Sequence, residues 1–120
     1  MSRTISIWYS DTRGNQTDID VGNVDLLGTQ QASKVFWSLP IHSQIGVKLL
    51  AELGVTDPVC FKGWKNIEQL EKELLLLERH LGKIPFDQGM KKRRIGNIRI
   101  CLDTLKKSAP PDSVPEFMIG

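Results

Sequence analysis

The clearest pattern in the chain lies between residues 67 and 81, where apolar side chains recur at intervals of three and four positions. This spacing places them on one face of an α-helix. Asn66 can cap the start of such a helix, and Gly82 follows where helices commonly end. The sequence therefore predicts a helix over 66–81. Its apolar face consists of Ile67, Leu70, Leu74, Leu77 and Leu81.

A second long helix is predicted over 88–107, with Asp87 as its N-terminal cap. Only a few residues separate it from the first helix, and helices joined in this way usually pack antiparallel. The two should therefore form an αα-hairpin around a shared core. The core-facing positions of the second helix are Ile95, Ile98, Leu102 and Leu105, with Cys101 beside them.

Three segments have the pattern or composition of β-strands. Residues 4–10 alternate between apolar and polar side chains, which is strand periodicity. A short apolar run lies near 58–62, directly after a proline, and the composition of 114–119 is typical of a terminal strand. The last strand could pair with the first. Together with the helices, these strands predict an α+β fold in which a small sheet packs on helices.

The segments between these elements carry weaker patterns. Residues 17–28 alternate in part, and Gly22-Asn23 could form a tight hairpin turn. A short helix is predicted over 30–38, before Pro40. Another is predicted over 44–53, with Gly54 as a left-handed residue at its C-terminal end.

The composition is that of one folded domain spanning residues 1–120, with 40% hydrophobic and 25% charged residues. The first residues alternate in polarity, and no long apolar run follows them. Neither a secretory signal nor a membrane-spanning helix is predicted, so we expect a cytoplasmic protein without a membrane partner. Cys60 and Cys101 lie far apart in apolar stretches, so we interpret both as reduced core residues.

Positive charge is concentrated in the second long helix. Between 83 and 107 there are eight basic and two acidic residues, a local net charge of +6. Such a run is usually the solvated face of a helix, but it could also contact an acidic protein or the phosphates of a nucleic acid. No aromatic residue interleaves the run, which argues against single-strand binding. The candidate contact residues are Lys91, Lys92, Arg93, Arg94 and Arg99.

Two tryptophans, Trp37 and Trp64, stand at predicted element ends beside turn residues. Tryptophan is enriched in the energetically dominant positions of protein interfaces, so both are candidate partner contacts. Core packing is the alternative interpretation, because a small domain also fills its core with large aromatics.

No residue pattern predicts a reaction or a cofactor. The glycines form neither a phosphate-binding loop nor a dinucleotide fingerprint, and the two histidines have no zinc-ligand spacing. A small enzyme with a site around His42, near Trp37 and Ser43, is the alternative that remains. A structural role for each histidine is favoured over it.

We therefore expect a non-enzymatic protein-binding module without metal or cofactor. A bacterial immunity or antitoxin protein, which blocks a partner toxin and needs no chemistry of its own, fits this description by analogy. Its partner would be another protein, with an acidic surface if the basic helix is the contact. A nucleic-acid-binding protein using the basic helix over 91–99 is the second hypothesis. Some apolar residues assigned to the core could instead form a homodimer interface.

Overall fold

The computed structural model describes residues 4–21, 30–56 and 58–120. The strands and helices form the α+β fold that the sequence predicts. The strands are β1 (Ile5–Ser10), β2 (Gln16–Ile19), β3 (Val59–Lys62) and β4 (Val114–Ile119). The α-helices are α1 (Gln30–Trp37), α2 (Ile41–Gln44), α3 (Trp64–Arg79) and α4 (Gln88–Ser108), and two 3-10 helices span Leu50–Gly54 and Leu81–Lys83.

The four strands form one antiparallel sheet in the order β2-β1-β4-β3. The predicted pairing of the terminal strand with the first is confirmed, and its register sets Ile5 opposite Ile119 and Ile7 opposite Phe117. These side chains are buried on one face of the sheet, together with Phe61 of β3. Both α3 and α4 contact the sheet, so sheet and helices form two layers around this core.

The predicted αα-hairpin is confirmed. The residues at 67, 70, 74 and 77 in α3 and at 95, 98, 102 and 105 in α4 are all buried in the core. Cross-helix pairs join residue 78 to 99 and residue 71 to 106, which shows that the two helices are antiparallel. Asp87 caps α4 as predicted, because its carboxylate accepts a hydrogen bond of 2.9 Å from the Met90 backbone N–H.

The first long helix begins and ends two residues earlier than predicted. It begins at Trp64 because Gly63, with a φ of 87°, turns the chain out of β3. The Gly63 N–H donates to the Pro115 carbonyl, which ties this turn to β4. The Asn66 side chain, predicted to cap the helix, instead donates to the Lys62 carbonyl.

The prediction of one helix over 44–53 is wrong. Helix α2 ends at Gln44, and the chain becomes helical again only in the 3-10 helix Leu50–Gly54. Gly46 adopts a φ of 94° and so interrupts the helix, while Gly54 does not have a positive φ. The prediction of a left-handed residue therefore applied to the wrong glycine.

Two further expectations have different outcomes. Cys101 is buried as predicted, whereas Cys60 is exposed, because it points to the face of β3 opposite the core.

Strand β2 accounts for part of the alternation over 17–28, and the predicted turn at Gly22-Asn23 lies outside the described residues. Within the described part of the chain, no helix is long and apolar enough to cross a membrane.

Candidate functional site

The structure divides the predicted basic surface of α4 into three environments. Lys92 and Arg93 are exposed, whereas Lys91 and Arg94 are only 4% and 2% exposed, and Arg99 is half-buried. The expectation of one solvated basic face is therefore wrong for Lys91 and Arg94. Four consecutive residues occupy more than a full helical turn and cannot share one face.

The burial of Lys91 and Arg94 could have been predicted from their spacing in the sequence. Lys91 precedes Ile95 by four residues and Arg94 precedes Ile98 by four, so both basic residues lie on the apolar stripe that predicted the helix. Only Lys92 and Arg93 remain as exposed cations of the run from 91 to 94. This leaves little of the continuous positive surface on which the nucleic-acid hypothesis depends.

Arg99 joins the two helices of the hairpin. Its guanidinium donates to Glu78 through Nε at 3.0 Å and Nη2 at 2.6 Å, and to Glu71 through Nη1 at 2.5 Å. A third carboxylate, that of Asp103, lies 3.2 Å from Nη1. These hydrogen bonds raise the pKa of Arg99 despite its partial burial, so it stays charged. With three carboxylate partners in its own chain, Arg99 is a structural residue of the hairpin.

Trp37 and His42 lie inside the protein. Trp37 is 3% exposed and packs edge-on against the Phe36 ring, so it presents no surface to a partner. His42 is buried with its Nε2 2.8 Å from the Phe36 carbonyl oxygen, and burial lowers its pKa. Ser43, by contrast, is exposed. The structure thus separates a buried His42 from a solvated Ser43, which does not favour a nucleophile and base pair at this position.

Trp64 is the predicted contact residue that the structure places beside open cavities. One cavity of about 310 Å³ lies along the start of α3, and a second of about 310 Å³ adjoins it near the end of α4. Both are lined by Trp64, Glu68 and Lys106. We call the combined depression the Trp64 groove. Its remaining lining residues are Ile67, Glu71, Lys72, Ala109 and Pro111.

Local structure fixes the position of the Trp64 ring. Trp64 is the first residue of α3, directly after the Gly63 turn that β4 holds in place. The ring as a whole is half-buried, but its Nε1 atom is fully buried and has no hydrogen-bond partner among the described residues. Leaving a buried N–H without an acceptor costs about 1–3 kcal/mol of folding free energy. No acceptor for Trp64 Nε1 lies among the described residues, so an oxygen supplied by a partner would stabilise this N–H.

The lining of the groove also contains an ion pair. Lys106 donates to the Glu71 carboxylate at 2.9 Å, and Arg99 binds the other oxygen of the same carboxylate. Partial burial by itself would raise the pKa of Glu71, but these hydrogen bonds outweigh it and lower that pKa. Lys106 is itself exposed but paired with Glu71, so Glu68 and Lys72 are the exposed charges of the groove outside this ion pair.

A third cavity, of about 380 Å³, lies on the face of the sheet opposite the helices, beside β1 and β2. One of its lining side chains is Trp8, which the register places opposite Asp18 on one side and Glu116 on the other. We call this surface the Trp8 face. The alternation in β1 predicted that Trp8 points away from the core, but it did not indicate a cavity.

The described residues hold no group of three or more His, Cys, Asp or Glu side chains arranged to bind a metal ion. Comparison of the chain with protein-family models, with curated protein sequences and with solved structures finds no match.

Proposed function

We propose that this protein is a non-enzymatic protein-binding module whose contact surface is the Trp64 groove. The observation that carries the proposal is the Trp64 indole, which lines both cavities and whose Nε1 is buried without a partner among the described residues. Tryptophans in such positions contribute strongly to interfaces, because they bury a large area and lose little conformational entropy.

The partner that fits is a protein segment with a large apolar side chain next to an acceptor oxygen. The apolar side chain would occupy the Trp64 groove, which Ile67 lines on one side and Ala109 on the other. A rotation of the indole on binding would bring its buried Nε1 to a main-chain carbonyl of the partner. Each cavity is at the small end of the range for ligand pockets, about 300–1,000 Å³, which suits a side chain better than an organic cofactor. Glu68 and Lys72 at the rim balance each other in charge, so the fit relies on shape and one hydrogen bond.

The first test is capture of the partner with a photo-reactive residue in the groove. A benzoylphenylalanine in place of Glu68 should cross-link one protein from an extract of the native host, at equal stoichiometry. The same residue in place of Asp18, on the Trp8 face, is the control and should not cross-link it. The captured protein is then purified for affinity measurements with variants of the present chain.

Trp64→Ala should weaken binding of the captured protein by about 30-fold, the equivalent of the ~2 kcal/mol typical of a dominant interface residue. Trp64→Phe retains most of the ring and removes the N–H, so a loss of about 5-fold is expected from one hydrogen bond. Trp8→Ala, the matched control, should bind as the wild type does. Unchanged affinity in both Trp64 variants, with circular dichroism showing that they are folded, would contradict the proposal.

We further propose that the partner is a toxin that this protein blocks, as a bacterial immunity or antitoxin protein does. Its support is that blocking requires a contact surface and no catalytic group, which is all that the groove supplies. Co-expression of the captured partner with the wild-type chain should restore growth of a bacterial host, and Trp64→Ala should reduce that rescue. A partner that does not impair growth would refute the immunity role while leaving the binding role standing.

A further inference from the structure

Arg94 is a buried cation whose guanidinium lies between two aromatic rings. Its central carbon is 5.4 Å from the centroid of the Phe36 ring and 5.2 Å from that of the Phe86 ring. The side chain is 2% exposed, and no carboxylate of the described residues forms an ion pair with it. Aromatic rings offset part of the loss of hydration, but a buried charge without a counter-ion remains costly.

One edge of the Arg94 guanidinium has no hydrogen-bond partner among the residues that the structure describes. Nε and Nη2 of Arg94 are both buried, and neither has a hydrogen-bond partner in the described parts of the chain. These two nitrogens form the edge with which arginine binds two oxygens of one carboxylate or phosphate. Because Nε and Nη2 lie side by side in one plane, they fit a ligand that has two adjacent oxygen atoms.

Arg99, one and a half turns further along α4, shows the same edge in use. Its Nε and Nη2 donate to the two oxygens of the Glu78 carboxylate, at 3.0 and 2.6 Å. Arg94 presents the same pair of donors in a more buried position, without such a partner from the described residues.

The groups around Arg94 add positive potential and a further polar atom. Lys91, one turn away on α4, is 4% exposed and donates to the Ile84 carbonyl at 3.0 Å. The His42 ring lies 5.1 Å from Phe36, centroid to centroid, and its buried Nδ1 has no partner within the described chain. His42 Nε2 faces the Phe36 carbonyl oxygen and carries the ring proton, so Nδ1 of the neutral ring is an acceptor and does not favour an anion. An anion near Arg94 would therefore be favoured by the two buried cations, Arg94 and Lys91.

We infer that Arg94 forms the base of a binding site for a small oxyanion, a carboxylate or a phosphate, whose two oxygens bridge Nε and Nη2. Because both nitrogens are buried, an oxyanion reaches them only if one of the two covering rings moves aside, and the half-buried Phe86 is the more exposed of the two. The site is built by α1, α4 and the segment before α4, and it shares no residue with the Trp64 groove. It is thus independent of the proposed protein contact.

The Nε–Hε signal of Arg94 in a nitrogen-15 NMR spectrum tests this inference directly. Titration with inorganic phosphate and, separately, with acetate, at constant ionic strength maintained by chloride, should shift the Arg94 signal in a saturable way with at least one of them. The Arg99 signal is the internal control and should stay in place, because Glu78 already occupies that edge. Saturation with only one of the two anions identifies which class of oxyanion the site binds.

Arg94→Lys retains the positive charge and removes the paired edge, so it should weaken oxyanion binding at least tenfold, measured by calorimetry. Arg93→Lys, the exposed neighbouring residue, should bind as the wild type does. If Arg94→Lys does not fold, the NMR titration of the wild-type protein alone tests the inference. An Arg94 signal that responds to neither anion, or that responds equally to chloride, would overturn the inference, as would equal affinity in the two lysine variants.

Discussion

At the scale of single residues, the interior of this protein contains an unusual set of polar groups around the Phe36 ring. His42, Arg94 and Trp37 all pack against it, and the first two are titratable. Burial lowers the pKa of His42, and the hydrogen bond to the Phe36 carbonyl opposes this only in part. Folding therefore favours the neutral imidazole, which makes stability depend on pH.

His42 should lower the stability of the protein as the pH falls below its ordinary pKa of 6.5. In that range the unfolded chain binds a proton that the folded protein does not, so the free energy of unfolding decreases, by at most about 1.4 kcal/mol per pH unit. Urea unfolding between pH 7.5 and 5 should show this slope in the wild type. The variant His42→Gln, which can still donate to the Phe36 carbonyl, should show a smaller slope, and an equal slope would contradict the assignment.

The environment of Arg94 shows what residue patterns cannot reveal. Its position on the apolar stripe of α4 was readable from its spacing to Ile98, yet its charge favoured exposure. The two rings that cover it, Phe36 and Phe86, come from segments 58 and 8 residues earlier in the chain. Only the folded chain brings them together, so the candidate oxyanion site was not predictable from spacing.

At the scale of elements, Glu73 couples α3 to the 3-10 helix Leu50–Gly54. Its carboxylate is fully buried and accepts hydrogen bonds of 3.0 Å from the backbone N–H groups of Leu49 and Leu50. A third bond of 3.2 Å comes from the Gln69 side chain. Glu73 thus satisfies N–H groups at the start of the short helix, which has no cap of its own.

Glu73→Gln should lower the free energy of unfolding by about 1–3 kcal/mol. The amide group replaces one acceptor oxygen with a donor, which leaves a buried backbone N–H facing another N–H. Chemical denaturation monitored by circular dichroism gives the value. The exposed Glu52→Gln is the matched control and should change stability by less than about 0.5 kcal/mol. A similarly small effect at Glu73 would show that its hydrogen bonds do not hold the two elements together.

Long elements with a regular pattern could be predicted from the sequence, whereas a short irregular one could not. Both long helices were predictable because their apolar spacing repeats over several turns, and the terminal strand was predictable from its composition. The segment over 44–53 was not, since its leucines fit a helical spacing while Gly46 adopts a left-handed conformation that breaks it. The Glu73 carboxylate, which stabilises the resulting 3-10 helix, comes from more than 20 residues away.

At the scale of the whole molecule, two tryptophan-centred surfaces lie on different layers. The Trp64 groove belongs to the helical hairpin and the turn after β3, and the Trp8 face belongs to the side of the sheet opposite the helices. The sequence predicted the two layers and named Trp64 as a candidate contact. It could not predict the groove itself, because Lys106 and Ala109 reach Trp64 only through the antiparallel packing of α3 and α4.

Hydrogen–deuterium exchange of the complex with the captured partner shows whether the proposed contact surface, the Trp64 groove, is the one that binds. Binding should slow amide exchange in residues 64–72 and 104–111, which surround the groove, and leave exchange in β1 and β2 unchanged. Slower exchange confined to β1 and β2, with residues 64–72 unaffected, would show that the partner binds the Trp8 face and would contradict the claim.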